Sequence, residues 1–410
     1  MKTKHRFRYA SVFAVLLVVS AAFFSCEKEE DPFAGNAHLR SAEKLFSRTA
    51  DYFSNLINTA TIMYPEIHVL QDYVNDGADI YRIGYRTNFM GESITASGLL
   101  CIPATPGHYP ILSFQNGTNT LLENAPSTNP GYELYQLLQS VASMGYVVVI
   151  ADYIGFGASK QIFHPYLHKE STVQCLVDML RAVNEFWEDI PTGITPLNSY
   201  YLTGYSQGGW STLALLKALE NEYKQEFQVT ACACGAGPYD MHYFHDEVMS
   251  LEEYPSPGFL AYVSKAYIDH GIIDKKLNDL FQPSYATTIP QLFDGYHSID
   301  EIHAALTTHL GDLFIPAYRE GYLTDPDYAD IRSALEENSV PAWHTEIPLL
   351  LVHGGEDDYV PTMLTHRLYD QMIQEGTSPS TCSKIILEGK NHGEGIVPAS
   401  LQGLLFFQEH

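Results

Sequence analysis

Tyr200-Tyr201-Leu202-Thr203-Gly204-Tyr205-Ser206-Gln207-Gly208-Gly209 decides how the rest of the chain is read. Aromatic and β-branched residues first predict a strand, and Trp210-Ser211-Thr212-Leu213-Ala214-Leu215-Leu216-Lys217-Ala218-Leu219 then runs at helical period. Between them stands Gly-x-Ser-x-Gly. A serine in a sharp strand-to-helix turn is lifted clear of the sheet, and its neighbours two positions away must be small so that strand and helix can approach. Gly204 and Gly208 are those neighbours. The turn also aims the first amides of the helix at whatever Ser206 attacks. The five-residue pattern alone is common; the strand before it and the helix after it make it specific.

Outward from this stretch the chain alternates. Asp79–Asn88 and Glu92–Ile102 read as an edge hairpin turning at Met90-Gly91, and Tyr109–Phe114 as a short buried strand emptying into the polar loop Gln115-Asn116-Gly117-Thr118-Asn119. A helix over 131–144 leads to Tyr146–Ala151, so apolar that it reads as a central parallel strand covered on both faces. A helix over 172–187, a strand at Val229–Cys234, a strand at Pro348–His353, a helix at Thr362–Gln374, a strand at Lys384–Leu387 and a last helix to about Phe407 complete a parallel, doubly wound α/β sheet. Two stretches break the alternation. Residues 36–60 carry apolar residues at helical spacing and predict an N-terminal helix. Residues 237–345, rich in Tyr, Pro and His, are too long for a structureless loop and predict a helical cap with helices near Phe259–Ile268 and Ile299–Leu310. The resulting organisation is 36–236 and 346–410 as the two parts of the core, with 237–345 as the cap.

A serine hydroxyl needs a base within hydrogen-bond reach and an acid to hold that base in the right tautomer. For this kind of elbow the order is serine, acid, histidine, the latter two on loops after late strands. His353-Gly354-Gly355-Glu356-Asp357-Asp358 follows one such strand and Glu388-Gly389-Lys390-Asn391-His392-Gly393 the next. Loops at the carboxyl ends of parallel strands converge on one edge, so Ser206, Asp357 and His392 can meet there. Glu356 and Asp358 are rivals of Asp357. Two amides must meet developing negative charge: one is the N–H of Gln207, the other comes from the 115–119 loop, at Thr118 or Asn116. His164 and His168, and His242 and His245, are spaced like metal ligands, but Pro165 disfavours helix at His164 and the second pair lacks a convincing carboxylate set, so no metal or cofactor is expected.

The chain opens with four basic residues (Lys2, Lys4, Arg6, Arg8) and an apolar run over Ala10–Phe24, too short to span a bilayer comfortably. The run ends in Ser25-Cys26, which resembles a bacterial lipoprotein signal: residues 1–25 are removed and Cys26 carries the lipid. The acidic stretch Glu27-Lys28-Glu29-Glu30-Asp31, within a tether over 26–35, resembles the surface-export signal of Bacteroidetes lipoproteins, so the expected location is the outer membrane, at the cell surface or on the periplasmic face. Net charge is −26; without the four basic residues of the signal it is near −30, which excludes nucleic acid and anionic polymers as partners. Five cysteines besides Cys26 (Cys101, Cys175, Cys232, Cys234, Cys382) are too few and too apolar in context for a disulfide scaffold and read as buried thiols, with room for one disulfide.

These residues resemble the α/β-hydrolase superfamily from about residue 79 to the end. Within it the likeness is to secretory-lipase-like esterases, carried by Ser113-Phe114-Gln115-Asn116-Gly117-Thr118, Ala151-Asp152-Tyr153-Ile154-Gly155-Phe156-Gly157-Ala158-Ser159, His164-Pro165-Tyr166-Leu167-His168, the 204–209 elbow and Gly235-Ala236-Gly237-Pro238-Tyr239-Asp240-Met241. The resemblance implies a hydrolase of carboxylic esters, often lipidic, with Ser206 as nucleophile, His392 as base, Asp357 as orienter and a large helical cap. Asn116 departs from the histidine that the family's loop often has. The expected substrate is a small-molecule or lipid ester; an acetyl or feruloyl esterase of glycan use, or a peptidase of the same fold, are the alternatives, and a binding-only lipoprotein has no need of the three residues.

Overall fold

The computed structural model describes residues 33–410. Nine strands form one sheet in the order β1-β2-β3-β5-β4-β6-β7-β8-β9. They are β1 (Leu39–Arg48), β2 (Ala78–Phe89), β3 (Glu92–Pro103), β4 (Gly107–Gln115), β5 (Val147–Ala151), β6 (Ile194–Tyr205), β7 (Val229–Gly235), β8 (Leu349–Gly354) and β9 (Cys382–Leu387). The first three pair antiparallel with one another, and β3 pairs antiparallel with β5. From β5 to β9 every pairing is parallel. All five residues of β5 are buried, as a central strand covered on both faces requires.

Helices α1 (Ala50–Ala60), α2 (Glu133–Ala142), α3 (Lys169–Asp189) and α4 (Gln207–Asn221) connect the first strands. Residues 241–338 then hold α5 (Met241–Ser250), α6 (Pro257–Asp269), α7 (Pro283–Leu292), α8 (Ile299–Ala305), α9 (Leu310–Leu313), α10 (Pro316–Gly321) and α11 (Ala329–Asn338). The chain closes with α12 (Met363–Gln374) and α13 (Ile396–Gln408).

Three expectations need correction. Residues 36–60 are not one helix: Leu39–Arg48 is the edge strand β1, and only Ala50–Ala60 is helical, started by Thr49, whose hydroxyl accepts the Tyr52 N–H. The reason is tertiary. Glu185 on α3 accepts N–H groups of Ala37, His38 and Leu39 at 3.0, 2.9 and 2.6 Å, holding the segment extended, and β2 supplies the ladder. The β2–β3 hairpin is accordingly the second and third strand of the sheet rather than its edge. The pattern over Ile299–Leu310 also breaks, into α8 and α9, because Leu306 leaves the helix extended.

Residues 1–32, and with them the signal segment, Cys26 and most of the acidic tether, lie outside the described residues. Cys101, Cys175, Cys232, Cys234 and Cys382 are buried free thiols. Among the described residues no helix is long and apolar enough to cross a membrane.

Candidate active site

Ser206 sits between β6 and α4 with φ +61° and ψ −123°, a conformation that L-residues rarely adopt. The turn closes only because its neighbours lack side chains. A Cβ on Gly204 would stand 2.5 Å from the Gly208 carbonyl oxygen, and one on Gly208 would stand 2.1 Å from that of Gln115. The Ser206 N–H is held by the Gly235 carbonyl at 2.8 Å. Tyr153, Leu167 and Ala236 also have positive φ. Tyr153 bonds the loop beside Ser206, Leu167 lines the serine's cavity and Ala236 follows β7, so backbone strain is concentrated around this one turn.

The ends of β6, β8 and β9 bring three side chains into line. The Ser206 hydroxyl lies 2.9 Å from His392 Nε2, and His392 Nδ1 lies 2.6 Å from Asp357 Oδ2. Asp357 Oδ1 accepts the N–H groups of Tyr359 and Val360 at 3.0 and 2.8 Å, so the carboxylate is fixed from both sides. Its rivals Glu356 and Asp358 are exposed, whereas the Asp357 side chain is fully buried. Burial pushes the Asp357 carboxyl up, but hydrogen bonds from His353 and His392 outweigh it and hold the group well below the usual carboxylate range. Asp357 is therefore an anion at any pH near neutrality, and it fixes the proton of the neutral His392 ring on Nδ1, leaving Nε2 to accept from Ser206.

Sequence reasoning left several supporting residues unassigned. His353 ends β8 fully buried, with Nε2 2.9 Å from the Val360 carbonyl and 3.2 Å from Asp357 Oδ2, and Nδ1 2.7 Å from Thr365 Oγ1. A histidine closing an otherwise apolar strand was the available signal. The Tyr205 hydroxyl donates to the His392 carbonyl at 2.8 Å, and the Tyr359 ring lies 5.1 Å from the His392 ring.

Gln207, the first residue of α4, carries an N–H without an intrahelical acceptor, at the positive end of the helix. Its side chain is anchored by His164: Nδ1 donates to the Ile154 carbonyl at 2.7 Å, so Nε2 accepts from Gln207 Nε2 at 2.9 Å. Burial pushes His164 down to about 4, more than the Ile154 bond offsets, which keeps the ring neutral and able to accept. His164 thus fixes a residue beside Ser206. Its neighbour His168 meets Ser171 at 2.9 Å, and His242 lies 3.5 Å from Asp246. Among the described residues no group of three or more His, Cys, Asp or Glu side chains is placed to hold a metal.

In the 115–119 loop, the Asn116 side-chain amide donates to the Ala151 carbonyl at 2.7 Å, while the Asn116 backbone carbonyl accepts from the Tyr153 hydroxyl at 3.1 Å. Thr118 meets the Tyr166 hydroxyl at 2.8 Å, and Tyr166 is part of the wall of the Ser206 cavity. That cavity is small, about 40 Å³, and its wall also includes Leu167, Phe244, Phe259, Leu260 and Val263. Tyr166 stacks on Tyr262 of α6 at 4.3 Å with planes 6° apart, and the Tyr262 hydroxyl donates to the Asn119 carbonyl at 3.1 Å. Residues of the 241–338 segment therefore close directly over the serine.

A mostly parallel sheet with a strained serine at a strand-to-helix turn, and a histidine and a carboxylate from later loops beside it, defines an α/β-hydrolase. The sequence profile of the secretory lipase family matches residues 125–393, a span that holds Ser206, Asp357 and His392, and the chain belongs to that family. It is a carboxylic ester hydrolase. No curated protein matches the chain. Among solved structures it is similar to a protein of Legionella pneumophila described as a hydrolase, at 28% identity over 90% of this chain and 98% of that one, with a TM-score of 0.80. The rice cell wall degrading esterase LipA of Xanthomonas oryzae shares the fold at 24% identity, 90% and 96% coverage and a TM-score of 0.76. Candida antarctica lipase A in its closed state does so at 16% identity, 90% and 81% coverage and a TM-score of 0.65.

Proposed function

We propose that the enzyme hydrolyses carboxylic esters through an acyl-enzyme, with Ser206 as nucleophile, His392 as general base and then acid, and Asp357 as orienter. The reading rests on one observation: His392 bridges Ser206 and Asp357 at 2.9 and 2.6 Å, with its tautomer set by a buried carboxylate. Ser206 Oγ attacks the ester carbonyl carbon as its proton passes to His392 Nε2. Negative charge develops on the carbonyl oxygen, where the Gln207 N–H and a donor at Thr118 meet it. The tetrahedral centre collapses, the alcohol leaves with the proton from His392, and water activated by the same nitrogen releases the acid. In this reading the enzyme is tethered through lipid on Cys26 to the outer membrane, at the cell surface or on its periplasmic face.

The 40 Å³ cavity supports short acyl groups, such as the acetyl esters of glycans, unless the segment above it opens. Hydrolysis of p-nitrophenyl esters from acetate to palmitate by the full chain in detergent, beside Ser206→Ala, tests the proposal. Serine-dependent turnover is expected; equal turnover by the alanine variant would refute it. The chain-length optimum divides an acetyl esterase from a lipase.

A further inference from the structure

Tyr205 stands immediately before Ser206 at the end of β6, and its side chain crosses to the loop that carries His392. Its hydroxyl donates to the His392 backbone carbonyl at 2.8 Å, and its ring lies 5.2 Å from the imidazole, centroid to centroid, with the planes 53° apart. Two glycines on other elements make room for this reach. A Cβ on Gly235, at the end of β7, would stand 2.4 Å from Tyr205 Cδ2, and one on Gly395 would stand 2.4 Å from the Tyr205 hydroxyl oxygen. The residue beside the nucleophile is thus tied to the loop of the histidine, and only neighbours without side chains permit it. Tyr359 lies against the same imidazole at 5.1 Å, with planes 33° apart. Its backbone is fixed at both ends: the N–H donates to Asp357 Oδ1 at 3.0 Å, and the carbonyl accepts from the Tyr254 hydroxyl at 2.8 Å.

Neither tyrosine is among the described residues that form the wall of the Ser206 cavity, so their effect on the reaction passes through His392. Bonds at Nδ1 and Nε2 fix two points of the imidazole and leave it free to tilt about the line between them; a ring packed against it restrains that tilt. The same rings distinguish charge. An aromatic ring attracts a cation within about 6 Å of its centroid, and the imidazole becomes a cation only once it has taken the serine's proton. A contact that strengthens at that moment lowers the barrier rather than tightening substrate binding. We propose that Tyr205 and Tyr359 are positioning residues for His392, holding the imidazole on the line from Ser206 to Asp357 and favouring the cation it becomes during the reaction. The inference rests on His392 being the general base.

The test uses the full chain in detergent and the p-nitrophenyl ester it hydrolyses best, with Tyr359→Leu, Tyr359→Phe, Tyr205→Phe and His392→Ala beside the wild type. Tyr359→Leu should lower kcat by about tenfold with KM within about twofold, the pattern of an interaction felt only in the transition state. Tyr359→Phe keeps the ring and should stay within about twofold of wild type. Tyr205→Phe keeps its ring but loses the bond to the histidine's loop, and should also lower kcat by about tenfold at unchanged KM. Wild-type kcat in Tyr359→Leu or in Tyr205→Phe overturns the assignment for that tyrosine, as does a loss confined to KM. A Tyr359→Phe enzyme as slow as Tyr359→Leu overturns the role of the ring. Urea unfolding checks each variant, and the Tyr359 pair decides the matter alone if Tyr205→Phe does not fold. His392→Ala separates the two levels of the argument: an inactive His392→Ala beside fully active tyrosine variants refutes the positioning role only, whereas wild-type turnover by His392→Ala refutes the base and the positioning role together.

Discussion

Asp357→Asn isolates the orienting role proposed for Asp357 from packing, because the substitution hardly changes shape. Which way the new amide faces is decided by the backbone. The Oδ1 position receives the N–H groups of Tyr359 and Val360, so the amide oxygen must stay there and the NH2 must take the Oδ2 position, facing His392 Nδ1 and His353 Nε2. An NH2 cannot accept. His392 then turns to the other tautomer, with its lone pair on Nδ1 and its proton on Nε2, and Nε2 donates toward Ser206 instead of accepting from it. The base is lost while the geometry survives. Loss of the correct tautomer in a serine triad lowers kcat by about ten-thousandfold, which corresponds to about 5.5 kcal/mol in the barrier. Initial rates on a p-nitrophenyl ester, with Ser206→Ala as the floor and urea unfolding as the check on folding, give the comparison. A folded Asp357→Asn enzyme within about tenfold of wild type would refute the reasoning. A large loss in Asp358→Asn or Glu356→Gln instead would move the role to that neighbour.

Three further outcomes follow from the same structure. In the unfolded chain His164 takes a proton near its ordinary value of 6.5, but in the folded protein only near 4, so the unfolded state binds more protons between these values and stability falls as pH drops from 6.5 to 4. The loss attached to this one group is on the order of 3 kcal/mol; urea unfolding at pH 7, 5.5 and 4.5 should show it, His164→Phe should make the profile shallower without abolishing it, because burial pushes His245 and His303 down as well, and a wild-type profile already flat would contradict the burial argument. Gly208→Ala places a Cβ 2.1 Å from the Gln115 carbonyl oxygen, so it should destabilise the fold by about 3 kcal/mol or more. Gly131→Ala, whose Cβ would meet nothing closer than 3.7 Å, serves as the control, and equal melting temperatures for the two would disprove the close-approach reading. Tyr262→Ala removes the 4.3 Å stack on Tyr166 and the bond to Asn119, and should raise kcat/KM for long-chain relative to short-chain esters by about tenfold; an unchanged ratio would show that this contact does not limit access.

Much of this arrangement was legible along the chain because it is set by local chemistry. The strand-turn-helix around Ser206 depends on residues within ten positions, and the buried parallel strands announce themselves as apolar runs whose length is that of a strand. The order serine, acid, histidine then follows from where loops emerge from a parallel sheet. The reading failed at Leu39–Arg48, where a helical spacing of Leu39, Leu45 and Phe46 coexists with a strand made by β2 and by the Glu185 carboxylate, about 145 residues distant. Pairing across such a distance leaves no periodic mark strong enough to outweigh a chance helical pattern.

The sequence by itself determined the fold class, the elbow, and three residue types in the order that ester hydrolysis needs. Only the tertiary structure decided that Asp357 and not Glu356 or Asp358 meets His392, that His353 and His164 hold the carboxylate and Gln207 in place, and that the Tyr205 and Tyr359 rings lie against His392. The physical reason is that these are matters of direction and burial. Three adjacent acids are chemically equivalent on paper, and a histidine is a ligand, a base or a prop according to what its two nitrogens face, which is settled only when distant loops are folded against one another.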